Sequence, residues 1–188
     1  MRAAASGVDQ LERVGRDLRA AFLDIGPLQP RIVINDRVYS EQTTPTAELV
    51  VLNRRTEVEH EFEHTWAGST KRIRLHGTFN VRAGFDLRRE LKVTMGPSEI
   101  IVHLPHAMIL SVDQQNVDVL EMNNGFWNPI SPQDMQDELA RLPQSAREKV
   151  AADDLIIEAE KTLARILTSR MHTDTPLRLD FDSGAIAQ

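Results

Sequence analysis

The first part of the chain alternates apolar and polar positions with the period of an α-helix. Apolar side chains recur every three or four residues between Leu11 and Ile25, and most of the charged side chains of this segment lie on the other faces. Gly26 and Pro27 end the pattern, since glycine suits the residue after a helix and proline cannot continue one. Segment 1–26 is therefore predicted to be an amphipathic helix, either docked on its own domain or forming a stalk that pairs with another subunit.

From residue 31 to residue 120 the pattern changes to short runs rich in valine, isoleucine, threonine and phenylalanine. Turn residues separate these runs, among them Asn35-Asp36 and Gly96-Pro97-Ser98. Runs of this kind are typical of β-strands joined by hairpins. The sequence predicts a mainly antiparallel sheet with strands at 31–34, 47–53, 55–66, 72–81, 91–95, 99–104 and 117–121.

Two helix starts follow the predicted sheet. Ser131-Pro132-Gln133-Asp134 has a capping hydroxyl, a proline in the first turn and an acid facing the free amides. Pro143 is predicted to break this helix, and Ser145-Ala146-Arg147-Glu148 has the pattern of a capping box that opens a longer one. The tail 171–188 contains a run at 177–181 that suits an edge strand or a disordered terminus.

These elements favour a single α+β domain at 27–170, preceded by the helix at 1–26 and followed by the tail at 171–188. We expect a central, mainly antiparallel sheet, with the N-terminal amphipathic helix and a C-terminal helical pair packed on one face. The length of 188 residues fits one domain of this kind.

Composition excludes several classes of function. The chain has no cysteine, so thiol catalysis and thiolate metal sites are ruled out. A net charge of −6 gives no general attraction to nucleic acid. No run approaches the roughly 20 apolar residues that span a bilayer. A basic segment at 71–92 and an acidic one at 113–160 are predicted to be solvated faces, or opposite poles through which two subunits meet.

The segment His60-Glu61-Phe62-Glu63-His64 matches the H-E-x-x-H motif of zinc hydrolases. In that motif two histidines one helical turn apart hold Zn²⁺ and the glutamate acts as general base. Here charged residues occupy every second position from 55 to 63, which predicts a strand with one solvent-facing side. Residues four apart in a strand lie about 13 Å from each other, too far to share one metal ion. The zinc hydrolase, with His60 and His64 as ligands and Glu61 as base, is therefore kept as an alternative only.

Turn-like segments hold several of the few aromatic side chains. The segments are Gly84-Phe85-Asp86-Leu87 and Asn124-Gly125-Phe126-Trp127-Asn128, and Trp66 precedes a further turn. Aromatic side chains in turns either anchor a partner or plug the end of a sheet. The residues predicted to bind a ligand or partner are Trp66, Phe85, Asp86, Asn124 and Trp127. A small-ligand carrier, with Trp66, Phe85 and Trp127 lining a cleft, is a second alternative.

The same segments resemble the bacterial family catalogued as domain of unknown function 4230. The similarity runs in order from about residue 48 to residue 167. It is carried by 66–71, 81–87, 104–111 and 124–128, and by the predicted long C-terminal helix. The most specific pieces are Ala83-Gly84-Phe85-Asp86-Leu87 and Leu104-Pro105-His106-Ala107-Met108-Ile109-Leu110-Ser111 taken together. The resemblance implies a domain with no assigned activity or cofactor, often preceded by one membrane helix and facing the exterior of the cell envelope. This chain shows no such helix, so an anchor lies outside it or this member is soluble.

The function expected from these patterns is a non-catalytic binding or scaffolding domain of the bacterial cell envelope, anchored or peripheral. A cytoplasmic location is the alternative. We expect no cofactor, no resident metal and no nucleic-acid partner. The expected partners are an unidentified protein and further copies of the chain, which would assemble through the N-terminal helix or a sheet edge.

Overall fold

A computed structural model describes residues 2–25, 30–40, 48–87, 91–171, 173 and 175–182. Within these residues the helices are α1 (Arg2–Ile25), α2 (Pro132–Ala152) and α3 (Leu155–Arg170). The strands are β1 (Ile32–Ile34), β2 (Arg37–Ser40), β3 (Glu48–Trp66), β4 (Ser69–Asp86), β5 (Leu91–Met95), β6 (Ile100–Pro105), β7 (Met108–Asn123) and β8 (Leu177–Asp182). The predicted α+β class, with an N-terminal helix and a C-terminal helical pair, is confirmed.

The chain divides into two compact units. Unit 1 comprises residues 1–52, 83–110 and 156–188, and unit 2 comprises residues 53–82 and 111–155. The long strands β3, β4 and β7 contribute residues to both units. A single domain at 27–170 remains a prediction.

Unit 1 contains a five-stranded sheet in the order β2-β1-β5-β6-β8. Its β1–β2 and β5–β6 pairs are antiparallel, whereas β1–β5 and β6–β8 are parallel. The predicted hairpin between β5 and β6 is confirmed by a bond from Gly96 N to Glu99 O of 2.9 Å. The run at 177–181 is an outer strand, β8, as one of the two predictions for the tail had it.

Helix α1 packs against β1 and β2 of unit 1. Its apolar positions Val14, Leu18, Ala21 and Phe22 are buried, because the stripe of three-and-four spacing faces the unit's own sheet. The helical prediction for this segment is confirmed over Arg2–Ile25. From Val14 to Phe22 the stripe is covered within unit 1, and pairing of this helix with another subunit remains a prediction.

Unit 2 contains the three-stranded sheet β3-β4-β7. A two-residue turn, Ala67-Gly68, joins β3 to β4 with φ angles of 49° and 76°, and positive φ at both positions is typical of a type I′ hairpin. The two strands predicted at 47–53 and 55–66 are one continuous strand. Arg54 lies within this strand, and its guanidinium donates to the carbonyl oxygen of Asp153 at 3.5 Å.

Strand β7 is far longer than the predicted strand at 117–121. The polar run Asp113-Gln114-Gln115-Asn116 lacks apolar alternation, since this part of β7 buries neither of its faces. Ionic pairing aligns the strand instead: Asp113 accepts from Arg82 of β4 at 3.2 Å.

The predicted helix break at Pro143 is wrong. Helix α2 continues through it to Ala152, and the side chains of Leu142 and Ala146 on either side are completely buried. This packing offsets the backbone hydrogen bond that proline removes. The two helices separate instead at residues 153–154, where Asp154 adopts a positive φ of 56°.

The capping box forms at the first predicted helix start and not at the second. The Asp134 amide donates to the Ser131 hydroxyl at 3.1 Å, and the Asp134 carboxylate accepts from the Ser131 amide at 2.7 Å. Ser145 lies inside α2, where its hydroxyl donates to the carbonyl oxygen of Arg141 at 3.3 Å. The predicted box at 145–148 is therefore wrong, because the helix has no free amides at that point.

Candidate functional site

Three exposed aromatic side chains lie at one end of unit 2, and we call them the aromatic tip: Trp66, Phe126 and Trp127. Their exposed fractions are 60%, 85% and 65%. Trp66 ends β3, and the rings of Phe126 and Trp127 meet edge to face with centroids 4.4 Å apart. Ser69, across the tight turn from Trp66, accepts a hydrogen bond from the Trp127 amide at 3.0 Å. This bond brings the segment after β7 to the β3–β4 turn.

Asn128 fixes the backbone beneath the tip. It is buried, and its amide group donates to the carbonyl oxygens of His64 at 2.9 Å and Ser69 at 3.4 Å. The same nitrogen lies 3.0 Å from Nδ1 of His64. One side chain thereby holds the aromatic segment to both strands of the hairpin.

Gly125 lets this segment approach the hairpin closely. Its amide donates to the Asn128 carbonyl oxygen at 3.0 Å, and a Cβ atom here would lie 2.5 Å from the Ser69 hydroxyl. Only glycine fits that space without displacing a neighbour. Asn124 completes the support, since its side-chain oxygen accepts from the amide of Ile130 at 2.8 Å.

An ion pair lies close to this hairpin. Lys71 Nζ is 2.7 Å from Asp134 Oδ2, and both side chains are largely shielded from solvent. The hydrogen bond from Lys71 holds the pKa of the Asp134 carboxyl well below its usual range, and the Ser131 amide and hydroxyl add to the effect. The pair joins the start of α2 to β4.

Acid should therefore remove a stabilising contribution of Asp134. Its folded-state pKa is lowered, so this contribution is complete above the ordinary aspartate pKa of about 3.9 and is lost as pH falls below it. We expect the free energy of unfolding of the native chain to exceed that of Asp134→Asn at pH 6, and the gap to narrow steadily towards pH 2.5. Urea unfolding across this range measures it, and a gap independent of pH would contradict the assignment.

His60 and His64 lie in strand β3, so the strand prediction for the H-E-x-x-H segment is confirmed. Nε2 of His60 is 2.5 Å from Oε2 of Glu138, a carboxylate on α2 whose side chain is only 3% exposed. A carboxylate of α2, and not a metal ion, is thus the partner of His60 in this structure. Glu61 lies on the other face of the strand, 3.3 Å from Arg72. Among the residues described, no three His, Asp or Glu side chains are grouped to hold a metal ion.

The predicted solvent-facing side of β3 carries a row of ion pairs. Arg72 binds Glu63 at 2.6 Å, which raises the pKa of the arginine, and Arg74 lies 3.7 Å from both Glu59 and Glu121. Part of the basic segment at 71–92 thus finds its counter-charges within unit 2. This arrangement favours a solvated face for these residues over a pole that meets another subunit.

Phe85 and Asp86 lie in strand β4 and not in a turn, so that expectation is wrong. Phe85 is completely buried in unit 1 and stacks on Phe181 of β8 with centroids 6.0 Å apart. Gly84 continues the strand, because only glycine can approach Leu49 of β3 so closely. The binding roles predicted for Trp66, Phe85, Asp86, Asn124 and Trp127 remain predictions.

Sequence reasoning missed Phe126 and Asn128 as site residues. A signal for Phe126 was present, since it is adjacent to Trp127 in the same turn-like segment. Asn128 gave no signal, because its partners are 59 and 64 residues away along the chain.

Unit 1 has a cavity of about 550 Å³ on its sheet. His103, one of its lining residues, lies 3.2 Å from both Asp180 and Thr94. The residues that line it are Val33, Asn35, Asp36, Lys92, Val93, Thr94, Met95 and His103.

Comparison with known protein families identifies a family for this chain. A family model described as a protein of unknown function, DUF4230, matches residues 41–180, about three quarters of the chain. No curated protein and no solved structure matches. In the part of the chain that the structure describes, no helix is long and apolar enough to cross a membrane. The matched span covers well over half of the sequence, and the chain therefore belongs to the DUF4230 family of proteins of unknown function.

Proposed function

We propose that the chain is a non-catalytic binding domain that holds a protein partner through the aromatic tip. The exposure of Trp66, Phe126 and Trp127 on a hydrogen-bonded support carries this proposal. Tryptophan and other large aromatic side chains dominate the energetics of protein interfaces. A support that is already ordered loses little further conformational entropy when a partner binds.

The distribution of exposed apolar side chains favours unit 2 as the binding unit. Of the ten exposed large hydrophobic residues in the described structure, six belong to it: Trp66, Val119, Leu120, Met122, Phe126 and Trp127. Single exposed apolar residues are ordinary, whereas clusters mark interaction sites. The exposure of the tip therefore favours a role in binding a partner over a role in plugging the end of the sheet.

The polar groups near the tip support binding over catalysis. Lys71 is paired with Asp134, and His60 with Glu138. His64 is held beside the amide of Asn128. A general acid or base must reach a substrate proton, and these side chains are occupied by contacts that hold α2 and the aromatic segment to the hairpin.

We place the domain at the bacterial cell envelope, peripheral or held by an anchor outside this chain. The support for this location is the family resemblance. Separating membrane and soluble fractions in the experiment below tests it at the same time.

Photo-crosslinking in the cells that produce the protein tests the binding function. A benzoylphenylalanine at position 126 is expected to give a discrete adduct, and the same residue at Val38, an exposed apolar position of unit 1, is expected to give none. Adding Trp66→Ala should reduce the adduct at least tenfold if the tip acts as one surface. Equal labelling at both positions, or an adduct indifferent to Trp66→Ala, would contradict the proposal.

A further inference from the structure

Strand β7 is an open edge of the sheet in unit 2. Among the described strands its hydrogen-bonded neighbour is β4, whereas the opposite edge, β3, is partly covered. Lys149 of α2 donates to the carbonyl oxygen of Glu57 at 2.7 Å, and Asn128 donates to that of His64. From residue 114 to residue 123 no side chain of β7 is buried, on either face of the strand.

Ion pairs show which side chains of β7 share a face with the core of unit 2. Arg74 pairs with Glu121 and Arg82 with Asp113, an order that fits antiparallel strands. Even-numbered residues of β7 therefore lie on the same face as odd-numbered residues of β4.

On this face of the sheet, the apolar side chains of β7 are exposed although those of β4 are buried. On β4 the residues of that face, Ile73 and Leu75, are completely buried. On β7 the corresponding Leu120 and Met122 are 50% and 55% exposed. The apolar face of the sheet thus continues from β4, where it is buried, onto β7, where it is exposed to solvent.

The edge also lacks the usual protection against strand pairing. Natural proteins guard an edge with lysine, proline or a bulge, and residues 108–123 include no lysine, arginine or proline. The carboxylates of Asp113 and Glu121 are already paired with arginines of β4. Neither residue therefore adds an uncompensated charge that would repel a similar strand.

We propose that β7 pairs antiparallel with β7 of a second copy of this chain, joining two three-stranded sheets into one of six strands. The inference goes beyond the proposed function, because it names a second surface of unit 2, through which the domain assembles with itself.

A two-fold axis perpendicular to the sheet fixes the register of such a pair. It places equal residue numbers on the same face, so a register centred on Leu120 opposes the two Leu120 side chains directly. Met122 of each copy then lies opposite Asp118 and diagonally beside Leu120 of the other copy. It also keeps the two Asp118 carboxylates about 14 Å apart along the strands, beyond the Debye length of about 8 Å. A register centred on Asp118 would oppose like charges directly. We favour a second copy of this chain over an unrelated peptide strand as the occupant of the edge. The centre of the edge is apolar, and the edge carries little unpaired charge that would select an oppositely charged strand.

Sedimentation velocity of the purified full chain over a range of concentrations tests self-pairing. We expect the native chain to form a reversible dimer. The dissociation constant of Leu120→Lys should be at least tenfold higher, since two ammonium groups would then face each other across the two-fold axis. Val38→Lys changes an equally exposed apolar residue of unit 1 and should leave the dimer intact. A native chain that stays monomeric, or a dimer unaffected by Leu120→Lys, would overturn the proposal.

Disulfide trapping tests the register, because the chain has no native cysteine. Directly opposed residues in an antiparallel pair have Cα atoms about 4.5–5.5 Å apart, which suits a disulfide. Leu120→Cys should therefore oxidise to a covalent dimer at least tenfold faster than Asp118→Cys, and equal rates would contradict this register. Leu120→Lys should leave the Phe126 adduct in place, so failure of the dimer and failure of partner binding give different results.

Discussion

Replacing Gly84 with alanine is expected to destabilise the fold by at least about 3 kcal/mol, the upper end of the usual cost of overpacking. A Cβ atom at this position would lie 1.9 Å from the carbonyl oxygen of Leu49 and 2.8 Å from its carbonyl carbon. Both are main-chain atoms of β3, so no side-chain rotation relieves the overlap. The strands themselves must separate, and the buried pairing of β3 with β4 is lost there.

Urea unfolding of Gly84→Ala and the native chain measures this loss. Gly96→Ala is the matched control, because the nearest atom to its Cβ would be the carbonyl oxygen of Glu99 at 3.4 Å. We expect that variant to change the free energy of unfolding by less than about 1 kcal/mol. A Gly84→Ala protein as stable as Gly96→Ala would show that β3 and β4 do not approach each other in this way.

Glu138→Ala is expected to cost about 2–4 kcal/mol, because it removes the common partner of two charged or polar side chains from a buried position. The Glu138 carboxylate lies beside His60 on one side and 3.2 Å from Arg141 on the other. Without it, the half-buried imidazole of His60 faces an empty space between α2 and β3.

Asp137→Ala is the control on the same helix, since Asp137 is exposed, and we expect it to cost less than about 0.5 kcal/mol. A double-mutant cycle with His60→Ala separates the pair from other effects of truncation. We expect a coupling energy of at least about 1 kcal/mol between Glu138 and His60. If the loss of stability in the double variant equals the sum of the losses in the two single variants, the two residues do not interact.

Local pattern was sufficient for the strand that carries the H-E-x-x-H segment. Alternation from residue 55 to 63 reports directly which side of β3 meets solvent, so the helical zinc geometry could be set aside from the sequence. The same reasoning failed for β7, because a strand exposed on both faces has no reason to alternate. The edge that we propose for assembly is therefore the part of the sheet that the sequence described least well.

Breaker residues misled the prediction where packing outweighs local preference. Pro143 normally ends a helix, yet burial of Leu142 and Ala146 keeps α2 continuous. Gly84 indicated a turn beside Phe85, whereas it serves a close approach of two strands. A single sequence does not distinguish these uses of proline and glycine, since both depend on residues far away in the chain.

The aromatic tip could be predicted only in outline. Trp66 and Trp127 lie in turn contexts that the sequence indicates, and both are exposed. The supports beneath them could not be predicted, because Asn128, Glu138 and Asp134 find partners 59–78 residues away. Contacts at that separation leave no periodic trace in the sequence.

Residue-level oxidative footprinting in cells tests the central claim, that the aromatic tip is a binding surface. The only two tryptophans of the chain, Trp66 and Trp127, both lie in the tip, so their reactivity reports on it alone. We expect both to oxidise readily in the purified protein and at least fivefold more slowly in the cells that produce it, with the exposed Met108 of unit 1 as the internal reference. Equal oxidation of the tryptophans in both settings, relative to Met108, would contradict the account.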